Sequence, residues 1–129
     1  MARMALVVDD SMLIRHSVCR FLEERGFAVE SATNGVEALE ILKSVLPDVI
    51  VTDIVMPKMD GSELISRLKA QASTARIPIV VIAGRSTQSG PIDIRANYII
   101  YKDIEIESQL TRALMAALGD GALRDTPTN

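Results

Sequence analysis

Short apolar runs alternate along the chain with stretches whose apolar residues recur at helical spacing. Five of the runs predict β-strands, at residues 4–9, 27–32, 48–53, 77–83 and 98–101. The first, third and fourth runs show no polar alternation, which is typical of strands buried on both faces of a parallel sheet. Glu30 and Ser31 make the second run more polar, so we place it at one edge of the sheet and the fifth run at the other.

Helices are predicted between the strands and after the last strand. Apolar residues at helical spacing follow the candidate caps Asp10 or Ser11, Asn34 and Asp60, and they recur through residues 105–118. The second of these helices is expected to extend through Leu46 to Pro47, which cannot continue a helix. Residues 84–94 contain two glycines and a proline without a helical stripe. A helix between the fourth and fifth strands is therefore expected to be short or absent.

This alternation of strands and helices predicts an α/β fold in three layers. Parallel βαβ units with right-handed crossovers place helices on both faces of one sheet. The simplest arrangement is a flavodoxin-like, doubly wound sheet of five parallel strands in the order 2-1-3-4-5. We expect one domain over residues 1–118, followed by a flexible C-terminal tail at 119–129 that is rich in Gly, Asp, Thr and Pro.

Three acids follow two strands that are neighbours in this order. Asp9 and Asp10 end the first run and Asp53 ends the third, at the switch point where such sheets bind ligands. Two like charges about 4 Å apart cost roughly 4 kcal/mol at an effective dielectric near 20, so either the pKa values rise or a cation binds. Carboxylates at an open rim suit Mg²⁺, and a carboxylate beside Mg²⁺ can become an aspartyl phosphate. Each acid also has an ordinary interpretation as a helix cap or turn residue, which stays open at this point.

Composition excludes several other classes of protein. The 129 residues carry a net charge of −3 and 3% aromatic side chains, which argues against direct nucleic-acid binding. No apolar run approaches the roughly 20 residues that a membrane span needs, so no membrane partner is expected. A single cysteine, Cys19, cannot form an internal disulfide and fits a reducing compartment. These features predict a cytoplasmic protein.

Two motifs carry a resemblance to a known family. They are Val7-Val8-Asp9-Asp10-Ser11 and Asp53-Ile54-Val55-Met56-Pro57-Lys58-Met59-Asp60-Gly61. Over residues 4–118 the chain resembles the receiver domains of two-component response regulators, such as the small chemotaxis response regulator. The resemblance implies that Asp53 accepts a phosphoryl group and that Asp9 and Asp10 position Mg²⁺, Asp10 directly and Asp9 mainly through water. The carboxylate of Asp53 and the backbone carbonyl of Val55 would complete the metal ligands.

The resemblance also implies partners and an output. The phosphoryl donor would be a sensor histidine kinase, a phosphotransfer protein or a small acyl phosphate. The signal would pass to an output protein, which the sequence does not identify, by protein–protein interaction. The chain would not be an enzyme beyond catalysing its own phosphorylation and dephosphorylation.

Two positions depart from the family pattern. Ala83 stands where the fourth strand of the family ends in a Ser or Thr whose hydroxyl contacts the phosphoryl group, and Ser86 or Thr87 could substitute if the loop folds back. The family's lysine after the fifth strand is displaced here by one residue to Lys102, and Asp103 follows it instead of Pro. Because a shift of one residue turns a side chain to the opposite face, Lys102 either reaches the site through a bulge or does not serve it. We predict that it reaches the site as a counter-ion for the phosphate.

Three functions remain open from the sequence. The first is a phosphorylation-competent receiver with altered output. The alternative is an atypical receiver, or pseudo-receiver, that binds proteins independently of phosphorylation. The missing hydroxyl at Ala83 and the short region for a helix after the fourth strand favour it. A Mg²⁺-dependent hydrolase is a third interpretation, disfavoured because no second domain is available to cover a substrate.

Overall fold

The computed structural model describes residues 3–54, 56, 58–83, 98–102 and 105–119. It contains five strands, β1 (Met4–Val8), β2 (Ala28–Ala32), β3 (Val49–Asp53), β4 (Ile79–Ala83) and β5 (Tyr98–Tyr101). The described residues also form four helices, α1 (Met12–Glu24), α2 (Gly35–Ile41), α3 (Gly61–Lys69) and α4 (Ile106–Leu118). The expectation of a short or absent helix at 84–97 and that of a tail at 120–129 fall outside the described residues.

The five strands form one parallel sheet in the order β2-β1-β3-β4-β5. This confirms the predicted fold class, strand order and edge strands. The chain leaves β1 toward β2 on one side and returns to β3 on the other, which creates the predicted switch point between β1 and β3. The carboxyl ends of β1 and β3 therefore lie side by side.

Two hydrophobic cores cover the two faces of the sheet. On one side of the sheet, alternate residues of the central strands, among them Val7 and Val51, pack against Phe21 of α1 and against Leu110 and Leu114 of α4. On the other side, the intervening strand residues, among them Val8 and Ile50, pack against Ala38 of α2 and against Leu64 and Leu68 of α3. All residues of β3 and β4 are buried, and complete burial of one Val, Leu or Ile side chain stabilises a fold by about 1.5–3 kcal/mol. The central strands are therefore the most strongly held elements near the switch point.

Three of the described helices begin with a polar side chain that caps the first turn. Ser11 Oγ accepts a hydrogen bond from Ile14 N at 3.3 Å, and Asn34 Oδ1 accepts one from Glu37 N at 3.0 Å. Asp60 Oδ1 accepts the equivalent bond from Glu63 N at 2.9 Å. These caps satisfy amide groups that the first turn of a helix leaves without partners. They confirm the predicted helix starts.

The prediction that the second helix extends to Pro47 is wrong. Helix α2 ends at Ile41, and Leu46 is 60% exposed. Ala38, Leu39 and Leu42 supply the contacts with the core, so the apolar residue beyond them has no surface to cover. Within the described ranges, no helix is long and apolar enough to cross a membrane.

Candidate phosphoryl-transfer site

The three predicted acids come together at the carboxyl ends of β1 and β3. Val8 of β1 pairs with Thr52 of β3, so the next residues, Asp9 and Asp53, lie side by side at the ends of these neighbouring strands. Asp9, Asp10 and Asp53 each offer a carboxylate oxygen, and these oxygens all lie within 4.8 Å of one another. Asp9 and Asp53 are buried, whereas Asp10 is exposed at the rim. The arrangement is a cleft with two acids in its floor and one at its mouth.

Asp9 is a buried carboxylate with incomplete hydrogen bonding. Its Oδ1 accepts a hydrogen bond from Ser11 N at 2.9 Å. Its Oδ2 is buried and has no hydrogen-bond partner in the described part of the chain. Burial raises the pKa of Asp9 to about 6, and the negative charges of Asp53 and Asp10 add to this rise, while the Ser11 amide and Lys102 oppose it. A buried polar atom without a partner is costly and marks a place for a ligand.

Asp53 is held from two directions. It is 3% exposed, and its Oδ1 accepts a hydrogen bond from Ile54 N at 2.8 Å. Its Oδ2 lies 3.0 Å from Lys102 Nζ in a charge-assisted hydrogen bond. These contacts orient the carboxylate toward the cleft that Asp9 and Asp10 line.

Lys102 reaches Asp53 without a bulge in the described residues. Ile100 pairs with Ile82, and Ile82 pairs with Asp53, so these three residues face the same side of the sheet. Lys102 lies two residues beyond Ile100 and therefore shares that side. Its backbone N–H continues the ladder by donating to Ala83 O at 3.0 Å. The displacement by one residue seen in the sequence thus still leaves the ammonium on the side where Asp53 lies.

The charge on Lys102 is stabilised by the cleft. Partial burial lowers the pKa of Lys102, but the hydrogen bond to Asp53 and the charges of Asp53, Asp9 and Asp10 outweigh it, and the pKa is raised overall. Three ionised carboxylates against one ammonium leave the four groups with a net charge of −2. This residual charge matches a divalent cation.

Ala83 ends β4 and is 3% exposed. It pairs with Tyr101, and its carbonyl accepts the Lys102 amide. Its methyl group has no atom that could hydrogen-bond a phosphoryl oxygen. Val55, predicted as a metal ligand, and Ser86 and Thr87, predicted as possible replacements for the missing hydroxyl, lie outside the described residues.

Gly61 is a site residue whose individual role we did not predict, although it lies in one of the quoted motifs. It is the first residue of α3, and its N–H donates to Ile54 O at 2.9 Å. A Cβ atom at this position would lie 2.5 Å from Asp53 O and 2.8 Å from Ile54 Cα. Only glycine allows the helix to approach the end of β3 so closely. Gly61 therefore fixes the backbone that carries Asp53.

The donor set fits Mg²⁺. All candidate ligand atoms are carboxylate oxygens, which hard divalent cations prefer. The unpartnered Asp9 Oδ2 and the net charge of the cleft both favour a cation there. The cluster includes the exposed Asp10, which leaves access for water and for a phosphate, as Mg²⁺ sites of this type need.

Comparison with known families gives the same assignment as the motifs. The model of the response regulator receiver domain family matches residues 5–114. The chain belongs to the response regulator receiver domain family. It is 37% identical over 110 residues to response regulator MprA of Mycobacterium ulcerans (strain Agy99), an alignment that covers 83% of this chain and 47% of MprA. The chain thus spans about half the length of the curated relatives it matches.

Solved receiver domains share the fold. The receiver domain of a signal transduction histidine kinase from Syntrophus aciditrophicus is 29% identical, with a TM-score of 0.79 over 99% of this chain and 98% of that domain. The receiver domain of sensor histidine kinase PA1611 from Pseudomonas aeruginosa PAO1 has a TM-score of 0.80 at 21% identity, over 93% and 100% of the two chains. That structure has a magnesium ion coordinated in its active-site cleft. The likeness to PA1611 concerns the fold alone.

Proposed function

We propose that this receiver domain accepts a phosphoryl group on Asp53 in a Mg²⁺-dependent reaction. The observation that carries the proposal is the contact of Lys102 Nζ with Asp53 Oδ2 at 3.0 Å, inside a cluster of three carboxylates. A structural ion pair alone does not explain why Asp9 and Asp10 stand within 4.8 Å of the same carboxylate. Such crowding of like charges is costly unless a cation offsets it, as Mg²⁺ would in a site for phosphoryl transfer.

In this proposal the residues of the cleft have separate roles. An oxygen of Asp53 attacks the phosphorus of the donor and forms an O–P bond. The bond from phosphorus to the donor breaks, and its electron pair leaves with the imidazole of a phosphohistidine or the carboxylate of a small acyl phosphate. Ile54 N–H and Lys102 orient Asp53, and Lys102 then faces the new phosphoryl oxygens.

The proposed metal ligands are Asp10, Asp53 and the backbone carbonyl of Val55, with Asp9 acting mainly through water. Bound Mg²⁺ would supply positive charge that offsets the charge of the phosphoryl oxygens during transfer. The magnesium reported in the PA1611 receiver supports this choice of metal at the level of the shared fold. Asp9 adds a buried carboxylate within 4.8 Å of the exposed Asp10 and of Asp53, so its negative charge would also favour a cation there.

The direct test is incubation with a small acyl phosphate and Mg²⁺, followed by intact-mass measurement. We expect one phosphoryl group on the wild-type protein and none on Asp53→Ala. A chelator in place of Mg²⁺ should prevent the addition. Absence of an adduct on the wild type, or an equal adduct on Asp53→Ala, would contradict the proposal.

Partners and output remain at the level of chemical class. We propose a sensor histidine kinase or a phosphotransfer protein as the natural donor and a protein partner as the output. The family and its curated relatives support this assignment, although the relatives are about twice as long as the matched region. The lone Cys19 supports a cytoplasmic location. We also propose residues 1–118 as the receiver domain and the remainder as a tail.

The phosphorylation-independent alternative finds no support in the comparisons. Its motivation was Ala83, and the loss of one hydroxyl leaves the acids and Lys102 in place. We therefore propose that Ala83 alters the readout of phosphorylation and does not abolish the transfer. Equal affinity of wild type and Asp53→Ala for an output partner, under phosphorylating conditions, would favour the alternative instead.

A further inference from the structure

At the outer edge of β5, a side chain of α4 makes the backbone hydrogen bonds that a neighbouring strand would otherwise make. In the described part of the chain, β5 pairs with a strand on one side only, and that strand is β4. Lys102 N–H points toward β4, where it donates to Ala83 O, so the N–H and C=O of Tyr101 point the opposite way, out of the sheet. At the end of an edge strand such groups face solvent and the last residue frays readily.

Gln109 of α4 bonds both of these outward groups. Its Oε1 accepts a hydrogen bond from Tyr101 N at 3.0 Å, and its Nε2 donates to Tyr101 O at 2.9 Å. The same Nε2 donates to Glu105 O at 3.2 Å, which ties the amide to the start of α4. A primary amide has a donor and an acceptor side by side, so it reproduces the pair of bonds that a further strand would make.

We propose that Gln109 is a positioning residue for phosphoryl transfer, which acts by fixing the backbone from which Lys102 reaches Asp53. The inference rests on the proposed function of Lys102. Ala83 O holds the chain from one side and Gln109 from the other, at two consecutive residues. Together they set where the Lys102 backbone lies at the end of β5. The 3.0 Å contact with Asp53 then needs only the lysine side chain to extend.

Lys102 depends on a helix side chain for its position, and Asp9 and Asp53 do not. Asp53 lies in a strand with a partner on each side, and Asp9 directly follows one. Lys102 follows an edge strand of four residues, and Tyr98 and Tyr101 are only half-buried. A helix side chain therefore does for the lysine what a neighbouring strand does for the acids.

The test combines Gln109→Leu, Lys102→Met and the double variant, with Ser108→Ala as a matched control at an exposed position of the same helix. The readout is the initial rate of phosphoryl incorporation from a small acyl phosphate with Mg²⁺, at a temperature where thermal melts show every variant folded. We expect Gln109→Leu to slow incorporation about tenfold, as misplacement of a reacting group does. Ser108→Ala should match the wild type.

The double variant separates positioning from a general loss of structure. If Gln109 acts through Lys102, adding Gln109→Leu to Lys102→Met should slow incorporation no further. If the two losses multiply, or if Gln109→Leu matches Ser108→Ala, the inference is overturned. Gln109→Glu keeps the acceptor for Tyr101 N–H but places a carboxylate oxygen against Tyr101 O. It should therefore slow phosphoryl incorporation as Gln109→Leu does.

A second readout does not depend on phosphorylation. In the metal-free protein, kept in chelator, titration of the Lys102 ammonium by nuclear magnetic resonance should show a raised pKa in the wild type and in Ser108→Ala. In Gln109→Leu the pKa should fall toward the ordinary value of lysine, because the ammonium leaves Asp53. An unchanged Lys102 pKa in Gln109→Leu overturns the inference even if the wild type takes up no phosphoryl group, an outcome that would contradict the proposed function separately.

Discussion

Asp53 ends β3 and Asp9 follows β1, and both strands have a partner strand on each side, whereas Lys102 follows β5, which has one partner strand among the described residues. We call these two parts of the cleft the acidic half (Asp9, Asp10, Asp53) and the lysine half (Ala83, Lys102). Strand residues in the acidic half are almost all inaccessible to solvent, while β5 has one buried residue of four. The two halves face each other across the 3.0 Å contact between Lys102 and Asp53.

The difference shows how repelling and attracting groups are placed. Three like charges drift apart unless a rigid backbone opposes them, so the acids need strands in the centre of the sheet. Lys102 is attracted to its site and needs only a backbone that points it there. An edge strand with the Gln109 amide against it is sufficient for that purpose.

The largest expected effect is on stability in the acidic half. The pKa of Asp9 is about 6 in the fold, against 3.8 as its ordinary value. The fold thus favours the protonated form of Asp9. The stability that this carboxyl contributes is fully present below about pH 4 and is lost as the pH rises through about 6. We expect Asp9→Asn to stabilise the metal-free protein by about 3 kcal/mol at neutral pH and hardly at all near pH 4.

Urea unfolding in chelator across that pH range measures the Asp9 effect. Glu30→Gln, at an exposed position of β2, should change stability by less than about 0.5 kcal/mol at every pH. Addition of Mg²⁺ should shrink the advantage of Asp9→Asn, because the cation offsets the charge of the wild type. A gain for Asp9→Asn that does not vary with pH would remove the electrostatic explanation.

Asp10→Asn should affect the metal rather than the fold. Because Asp10 is exposed, we expect its substitution to leave the free energy of unfolding nearly unchanged without Mg²⁺. Loss of a ligand carboxylate should weaken Mg²⁺ binding by about 100-fold or more, since the loss of a group that only orients a ligand already weakens metal binding by about 10–100-fold. Calorimetric titration with Mg²⁺ checks this, again with Glu30→Gln as the control. Equal affinity in Asp10→Asn and wild type would exclude Asp10 as a ligand.

Gly61→Ala should damage the acidic half through its backbone. The added Cβ meets Asp53 O and Ile54 Cα, which cannot move without shifting β3, so we expect a loss of about 2 kcal/mol in chemical denaturation. Gly35→Ala is the matched comparison, since the three atoms nearest to its Cβ would all belong to the flexible Met59 side chain, the nearest 2.8 Å away. The Gly35 variant should lose clearly less. The reverse order would show that the approach of α3 to Asp53 is not constrained.

Lys102→Met should have the smallest effect of these substitutions. It should change the Mg²⁺ affinity in the direction opposite to Asp10→Asn. An ammonium in the cleft repels a divalent cation, so its removal should strengthen Mg²⁺ binding about threefold to tenfold. Lys43→Met, at an exposed position of the surface, should leave the affinity unchanged. Weaker Mg²⁺ binding in Lys102→Met would mean that the two halves of the cleft do not act on one site.

The acidic half could be predicted from the sequence and most of the lysine half could not. Mostly apolar runs ending in Asp9 and Asp53 determine both the central strands and the position of the acids. The distinct environments of Asp9 and Asp10, one buried and one exposed, depend on the turn at Ser11, which local pattern does not reveal. The side that Lys102 faces depends on the pairing of β5 with β4, and no residue in the sequence states that register.

Gln109 had no sequence signal at all. It is one polar residue on a helix whose apolar stripe explains the helix without it, and its bonds to Tyr101 arise from tertiary packing across eight positions. Gly61 could have been noticed, because a glycine directly after a helix cap has no local reason to be there. The predicted α2 was too long because Leu46 is apolar and at helical spacing. Spacing alone does not show that this side chain is exposed.

The most direct test of the central claim is to locate the phosphoryl group. Borohydride reduces an acyl phosphate to an alcohol, so an aspartyl phosphate becomes a homoserine that fragmentation mass spectrometry can place in the sequence. After treatment with a small acyl phosphate and Mg²⁺, we predict homoserine at position 53 and no reduction at Asp9 or Asp10. Homoserine at either of those two positions, or at none of the three in a protein that binds Mg²⁺, would contradict the assignment of Asp53 as the phosphoryl acceptor.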